Sequence, residues 1–376
     1  MEFNIQRDIF LEGIQKTLGI VEKKTTMPML NNLLLRAEND RIVIMATDLE
    51  VGMVYHYETD VVREGEITVS ARKLYEMVRE IQGDTIHVVK NDKNVVIITS
   101  HKAVYRILGL PSEDYPVVDK KDHINFYPVN GTVFMDLLRK TAFSISTDEM
   151  RKNLMGVLME TEQVNDACLL RFISTDGHRL SFASSSNAFK GGCLLTEGLK
   201  NIIIPKKGVG EILRLFEDTG NEAVFVGVEE GVFAVKSHRT FLRVSLIDAD
   251  YPDYRRVIPS ENGTVIPMHR EDLLHAIRRM CVISSEKYNG VIMMLSYKKV
   301  SFHSINNDIG EANDEIAVDY EGNERNIGYN VRYLSDAIEA IDEEIVDMEI
   351  HEDMRPTIIR GKGNDHYFCI IMPLKI

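Results

Sequence analysis

The sequence predicts an α+β chain built from three tandem copies of one unit. Three observations carry that reading. Two linkers echo one another, Leu110-Pro111-Ser112-Glu113-Asp114-Tyr115-Pro116 and Ile247-Asp248-Ala249-Asp250-Tyr251-Pro252-Asp253. Each follows a strand-like run, Tyr105 to Leu108 or Leu242 to Ser245, and each contains Asp-Tyr-Pro, where proline favours an extended turn. A third such run, Tyr367 to Ile371, leads into Met372-Pro373. Self-similarity at a fixed period marks repeats, here of about 125 residues. The boundaries fall at 1–122, 123–253 and 254–376, in keeping with a 376-residue chain too long for a single core.

Within each repeat the pattern reads as two halves, each a helix followed by strands. The second-half helices share one register: Leu74, Met77, Val78 and Ile81, then Val209, Ile212, Leu213 and Phe216, then Leu334, Ala337, Ile338 and Ile341. Ser70 and Asn330 suit N-caps, and Pro205 suits a helix start. The first-half helices align Leu11, Ile14 and Leu18 with Phe134, Leu137 and Thr141 and with Leu274, Ile277 and Cys281. β-rich segments follow, among them Asn32 to Leu35, Gly156 to Met159 and Val291 to Met294. Further alternating strands cover Glu66 to Val69, Val95 to Ile98 and Ala223 to Val226. About one helix per three or four strands places the chain in the α+β class.

Composition narrows the function. Hydrophobic residues make up 44% and charged residues 27%, ordinary values for a globular protein. No apolar run approaches the roughly 18 residues of a membrane span, and the start, Met1 to Asp8, lacks the pattern of a signal peptide. Cys168, Cys193, Cys281 and Cys369 are far apart, which suits reduced core thiols in a cytosolic protein better than a zinc site or a disulfide frame. A net charge of −14 argues against general adhesion to nucleic acid but leaves room for a local basic face.

Such a face is visible in the helix register. Five residues after the first apolar position, the six helices carry Lys16, Arg79, Arg139, Arg214, Arg279 and Glu339. That slot lies opposite the apolar stripe. The second-half helices add Arg72, Lys207 and Arg332 two residues before the stripe. Equivalent helices presenting cations fit a shared polyanion, held through its phosphates and indifferent to base sequence. The alternative is ordinary solvated helix surface.

One stretch invites an active-site reading: Thr175-Asp176-Gly177-His178-Arg179-Leu180. Ala46-Thr47-Asp48-Leu49-Glu50 and Ile305-Asn306-Asn307-Asp308 occupy the corresponding places in the other repeats, so Thr175 and Asp176 fit turn chemistry. Gly177, His178, Arg179 and Leu180 are the middle repeat's own. No GxSxG elbow, HExxH or Walker spacing accompanies them.

These strings, with Thr26 to Leu30, Asn32 to Leu35, Ser70-Ala71-Arg72-Lys73 and Tyr251 to Pro259, make the full chain resemble the bacterial DNA sliding clamps, the β subunits of replicative DNA polymerase III. The resemblance implies three clamp domains, with helices on one face and antiparallel sheets on the other. It implies a head-to-tail homodimeric ring that encircles double-stranded DNA without sequence preference. The ring tethers the replicative polymerase, a clamp loader and other proteins carrying a clamp-binding peptide. No cofactor, metal, catalytic site or membrane partner is implied, and the location is cytoplasmic, at the nucleoid during replication.

By that resemblance, the peptide groove comprises Leu154, Thr175, Gly177, His178, Arg179, Leu180, Pro252, Arg256, Val257, Tyr288, Ile370, Ile371, Met372, Pro373 and Leu374. Lys24, Lys73 and Lys152 join the basic residues above as DNA-facing, and Arg72, Lys73, Tyr105 and Ile107 meet Val282 and Ile283 of a second copy. Two departures stand out: the tail reads Met372-Pro373-Leu374-Lys375, and the sixth helix carries Glu339 beside Asp342-Glu343-Glu344. The competing readings are a repeat scaffold that binds peptides without DNA, and a hydrolase centred on Asp176, His178 and Arg179.

Overall fold

A computed structural model describes residues 1–21, 27–116, 118, 124–164, 167–190, 201–220, 222–285, 289–352 and 354–375. Six α-helices lie among them: α1 Arg7–Thr17, α2 Ala71–Glu80, α3 Gly131–Ala142, α4 Lys206–Thr219, α5 Arg270–Ile283 and α6 Val331–Glu339. Two fall in each repeat, as the hydrophobic period requires. Every strand pairing between them is antiparallel, in sheets of 13, 8 and 4 strands among the described residues.

The stripes of α2 and α6 go inward as read: Leu74, Val78 and Ile81, and Leu334, Ala337, Ile338 and Ile341, are all buried, with Met77 half-buried. Asn330 caps α6, its Oδ1 accepting from the backbone N–H of Arg332 at 3.0 Å and of Tyr333 at 3.4 Å. Ser70 occupies the same position before α2 without a side-chain cap bond. Pro205 ends the strand Ile202–Pro205 directly before α4.

α1 departs from the expected register. Its buried face is Phe10, Gly13, Ile14 and Thr17, while Leu11 and Leu18 are only half-buried. The cause is a close approach to the sheet at Gly13, where a Cβ would meet the Tyr57 ring at 2.6 Å and Ile44 at 2.7 Å. Only glycine fits there, and the helix rotates by one residue to bring it inward. In α4, Leu215 is buried and Leu213 half-buried, again a small rotation from the expected stripe. Thr141 of α3 is fully buried, its hydroxyl donating to the Leu137 carbonyl at 3.0 Å, so a polar residue serves in an apolar position.

The sheets fuse neighbouring repeats. Strand Thr240–Ser245 of the middle repeat pairs with Val51–Glu58 of the first, with Leu242 opposite Met53. Arg179–Ser185 pairs with Tyr367–Ile371 of the third, with Ser181 opposite Cys369. The chain accordingly divides into two compact units, Met1–Gly131 with Lys207–Leu246 and Thr132–Lys206 with Ile247–Ile376, and all three cuts fall within the middle repeat. Within the second unit, Phe134 of α3 meets Phe172 edge to face at 5.1 Å, one of the contacts that seat α3 on its sheet.

Candidate peptide groove

The groove begins with a turn. The Thr175 hydroxyl donates to the Arg179 carbonyl at 2.6 Å and accepts from the Gly177 N–H at 3.0 Å. Asp176 Oδ1 accepts from the N–H groups of His178 at 2.9 Å and Arg179 at 3.0 Å. Thr47 and Asp48 make the same four bonds, to Val51 and Leu49 and to Glu50 and Val51. Asn306 repeats part of the pattern, accepting from the Asp308 N–H at 3.1 Å. The acidic residue is therefore turn chemistry, and the Asp176 carboxylate is committed to backbone and to Arg179 rather than to the exposed His178 imidazole.

Around this turn the structure gathers Leu154, Thr175, Gly177, His178, Arg179, Leu180, Pro252, Val257, Ile370 and Met372 about one largely apolar cavity of ≈ 170 Å³. Two lining residues escaped the sequence reading, Asp253 and Tyr254. Their signal was present in the Pro252-Asp253-Tyr254-Arg255 string: Asp253 caps the short helical turn Tyr254–Val257 by accepting from the Arg255 N–H. Below lies a cluster of Leu158, Ile173, Leu180, Ile203, Tyr254, Ile358 and Ile370. Tyr254 donates its hydroxyl to Glu160 at 2.9 Å, and burial together with that carboxylate pushes its phenol up to about 12.

Four expected groove residues stand elsewhere, and a fifth is not described. Arg256 is exposed and turns to Asp253 at 3.2 Å, so its charge leaves the cavity. Ile371 is fully buried, because the strand's alternation points it into the core. Pro373 lines a different cavity of ≈ 370 Å³, beside Arg325 and Arg355, and Leu374 bridges to the Gly328 carbonyl at 2.8 Å. Tyr288 lies outside the described residues. The Met372 N–H donates to the His178 carbonyl at 2.9 Å and ties the tail to the turn.

Arg179 is the least solvated of these cations, its side chain only 9% exposed. Burial opposes its charge, but the bond to Asp336 and the nearby Asp176 raise its pKa nonetheless.

The basic residues are less uniform than their register. Arg72, Lys73, Arg79, Arg139, Lys152, Arg214, Arg279 and Arg332 are exposed. Several carry partners: Lys73 with Glu76 at 2.7 Å, Arg79 with Glu80 at 3.0 Å, Arg214 with Glu211 and Arg279 with Asp314. Lys16 is a correction. The rotation of α1 leaves its side chain 17% exposed, paired with Glu12 and 5.5 Å from the centre of the Tyr55 ring. Lys207 is another, since it is drawn to the buried carboxylate of Asp48 and the Ile20 carbonyl. Glu339 is met by Arg278 of α5 at 3.2 Å. Lys24 lies outside the described residues, as do Thr26 and Cys193.

Of the residues expected at a contact with a second copy, Val282 is 76% exposed, while Ile283 and Tyr105 are half-buried. Ile107 is buried within its own chain, so the outward residues of strand Ala103–Leu110 are Val104 and Leu108 instead. That strand pairs along its length with Val95–Ser100, but on its other side only Gly109 and Leu110 find strand partners among the described residues. Strand Gly310–Ala317 likewise closes one side of the four-stranded sheet.

Fold and groove define a class: a three-repeat α+β chain with a small apolar groove at a repeat junction, suited to holding another molecule's side chains. Family models of the DNA polymerase III β subunit match it throughout, the N-terminal domain over residues 1–119, the central domain over 128–253 and the C-terminal domain over 255–375. The chain is 30% identical to the β sliding clamp of Pseudomonas putida, with all of both chains aligned. Among solved structures, the β sliding clamp of C. crescentus superposes with a TM-score of 0.92 at 29% identity, covering 100% of this chain and 99% of that one. The sliding clamp of Bartonella birtlesii bound to griselimycin gives 0.93 at 27% identity, with both chains fully covered. The chain belongs to the DNA polymerase III β subunit family, the β sliding clamps.

Proposed function

We propose that the chain acts as a DNA polymerase processivity factor without a catalytic site of its own, closing with a second copy into a head-to-tail ring around duplex DNA. Three clamp domains, 1–122, 123–253 and 254–376, make up each protomer. The observation that carries this reading is a pair of incompletely paired strands of opposite charge. Strand Gly310–Ala317 exposes Glu311 and Glu315, whereas Ala103–Leu110 lies among exposed His101, Lys102, Arg106, Arg72 and Lys73. A heterologous contact between two such edges, repeated once, satisfies both and closes. Val282 adds exposed apolar area on one side and Leu108, 80% exposed, on the other.

Exposed cations on the helices hold DNA through its phosphates, so sliding needs no base contacts. The groove of Thr175 to Leu180 takes the clamp-binding peptide of a polymerase, a clamp loader or another DNA-processing protein, and griselimycin on the Bartonella clamp is the comparison for a ligand there. A tethered polymerase rebinds at high effective concentration, which raises processivity without changing its chemistry. The working place is the cytoplasm, at the nucleoid during replication. No helix among the described residues is long and apolar enough to cross a membrane.

Sedimentation tests the assembly. The wild type should run at twice the 42.8 kDa chain mass, and Leu108→Asp, which places a charge at the contact, at the single-chain mass. A wild type sedimenting at 42.8 kDa at micromolar concentration contradicts the ring.

A further inference from the structure

The groove's turn is fastened by contacts that lie outside the groove. Arg179 donates from Nε to Asp176 at 3.1 Å, from one terminal nitrogen to Asp336 Oδ2 at 2.6 Å, and from the other to the Phe143 carbonyl. Aromatic rings flank the guanidinium, Tyr333 at 4.3 Å and Phe143 at 5.3 Å. Three elements of the second unit meet at this one side chain: the turn, the residue that follows α3, and α6. Asp336 and Tyr333 belong to α6 and do not line the groove.

The local bonds of Thr175 and Asp176 shape the turn, and the ladder pairing of Arg179 with Ile371 fixes its backbone exit; what remains to be fixed is the Arg179 side chain, which lines the groove. Pro252 and Val257 line the same cavity from the linker, whereas Met372 is bonded to the turn itself, so the space between turn and linker depends on where the Arg179 side chain is held. That side chain is almost fully withdrawn from solvent. A planar guanidinium can satisfy three acceptors in one fixed geometry, which a lysine ammonium cannot reproduce. If the Asp336 carboxylate is neutralised, the charge-assisted bond that offsets burial of the guanidinium weakens and the group shifts.

We propose that Asp336 is a positioning residue of the groove: acting through Arg179, it holds the Thr175–Leu180 wall at the spacing the ligand requires without touching the ligand. This rests on the groove reading given above. Its counterpart turn at Thr47–Val51 carries no arginine, since Val51 stands where Arg179 does. The anchor thus belongs to the turn that borders the groove, not to its counterpart.

Calorimetric titration of the full-length protein with griselimycin tests it. Asp336→Asn should weaken binding by about tenfold or more, within the usual range for coupling between residues of one network. The double variant Arg179→Lys/Asp336→Asn should bind no more weakly than the weaker single variant, because both remove the same tie. Amide exchange at Gly177, His178 and Arg179 should quicken in Asp336→Asn while that variant remains folded at the assay temperature. A merely stabilising role would lower the melting temperature and leave the folded protein's affinity unchanged. Wild-type affinity in Asp336→Asn overturns the proposal. Absence of binding by the wild type overturns the groove reading instead.

Discussion

Gly177 and Leu49 occupy the same place in two copies of one turn, with φ of +90° and +79°. That region suits glycine and strains leucine. Gly177→Ala should therefore lose about 1–2 kcal/mol through backbone strain, since the only close neighbour of the new Cβ is the end of the exposed Arg151 side chain, which can move aside. Leu49→Gly should be neutral or gain up to about 1 kcal/mol, strain relief offsetting the extra freedom of the unfolded chain. Chemical denaturation of both variants checks the pair, and the opposite ranking would show that the two turns are not equivalent. At this scale the sequence was informative about local chemistry, because a Thr-Asp step closes on its own neighbours. It named Arg179 but was silent about its partners Phe143 and Asp336, 36 and 157 positions away. Periodicity has no means of pairing such residues.

Helices and strands were legible wherever burial follows a simple period, as in α2 and α6, and misread where one residue overrode it. Gly13 turns α1 and thereby moves Lys16 off the solvent face. A related event lies in the seam lined by α1 and α4, where Glu211 of α4 is 3% exposed. One of its oxygens pairs with Arg214 and the other has no hydrogen-bond partner among the described residues. Burial raises its pKa, with Asp48 adding to the effect and Arg214 and Lys207 only partly opposing it. The folded state then holds this proton more tightly than the unfolded state. Its contribution to stability is complete below the unfolded pKa and is lost as pH rises through the raised folded value. Glu211→Gln should melt higher than the wild type at pH 8, with the gap closing towards about pH 4. A lower melting temperature at pH 8 would mean that the pair with exposed Arg214 outweighs burial.

The same level explains why the two repeat junctions differ. In the first unit, a Cβ on Gly52 would meet the Val118 side chain at 2.6 Å, and Val118 packs with Tyr115, Leu34 and Met45 in a closed core. In the second, residue 180 is leucine and the cavity beside it stays open. Sequence alone aligned the two turns, but only packing distinguishes a filled junction from an available one.

For the whole molecule, the repeats were legible because they recur, whereas their fusion into shared sheets was not. Strand Thr240–Ser245 joins the first repeat's sheet and Arg179–Ser185 the third's, pairings between segments remote in sequence. The basic register also needed tertiary context: Lys207 is engaged inside the first unit, and Glu339 is countered by Arg278. What persists is a set of exposed cations, Arg72, Arg139 and Arg332 among them, in a chain of net charge −14. Such a distribution disfavours adhesion to DNA in general and leaves topology as the means of staying bound. The most direct measurement is retention on nicked circular DNA after loading, followed by cutting of the circle. The account predicts that the protein stays on the closed circle and is lost when the cut creates ends. Undiminished retention on the linear product would contradict it.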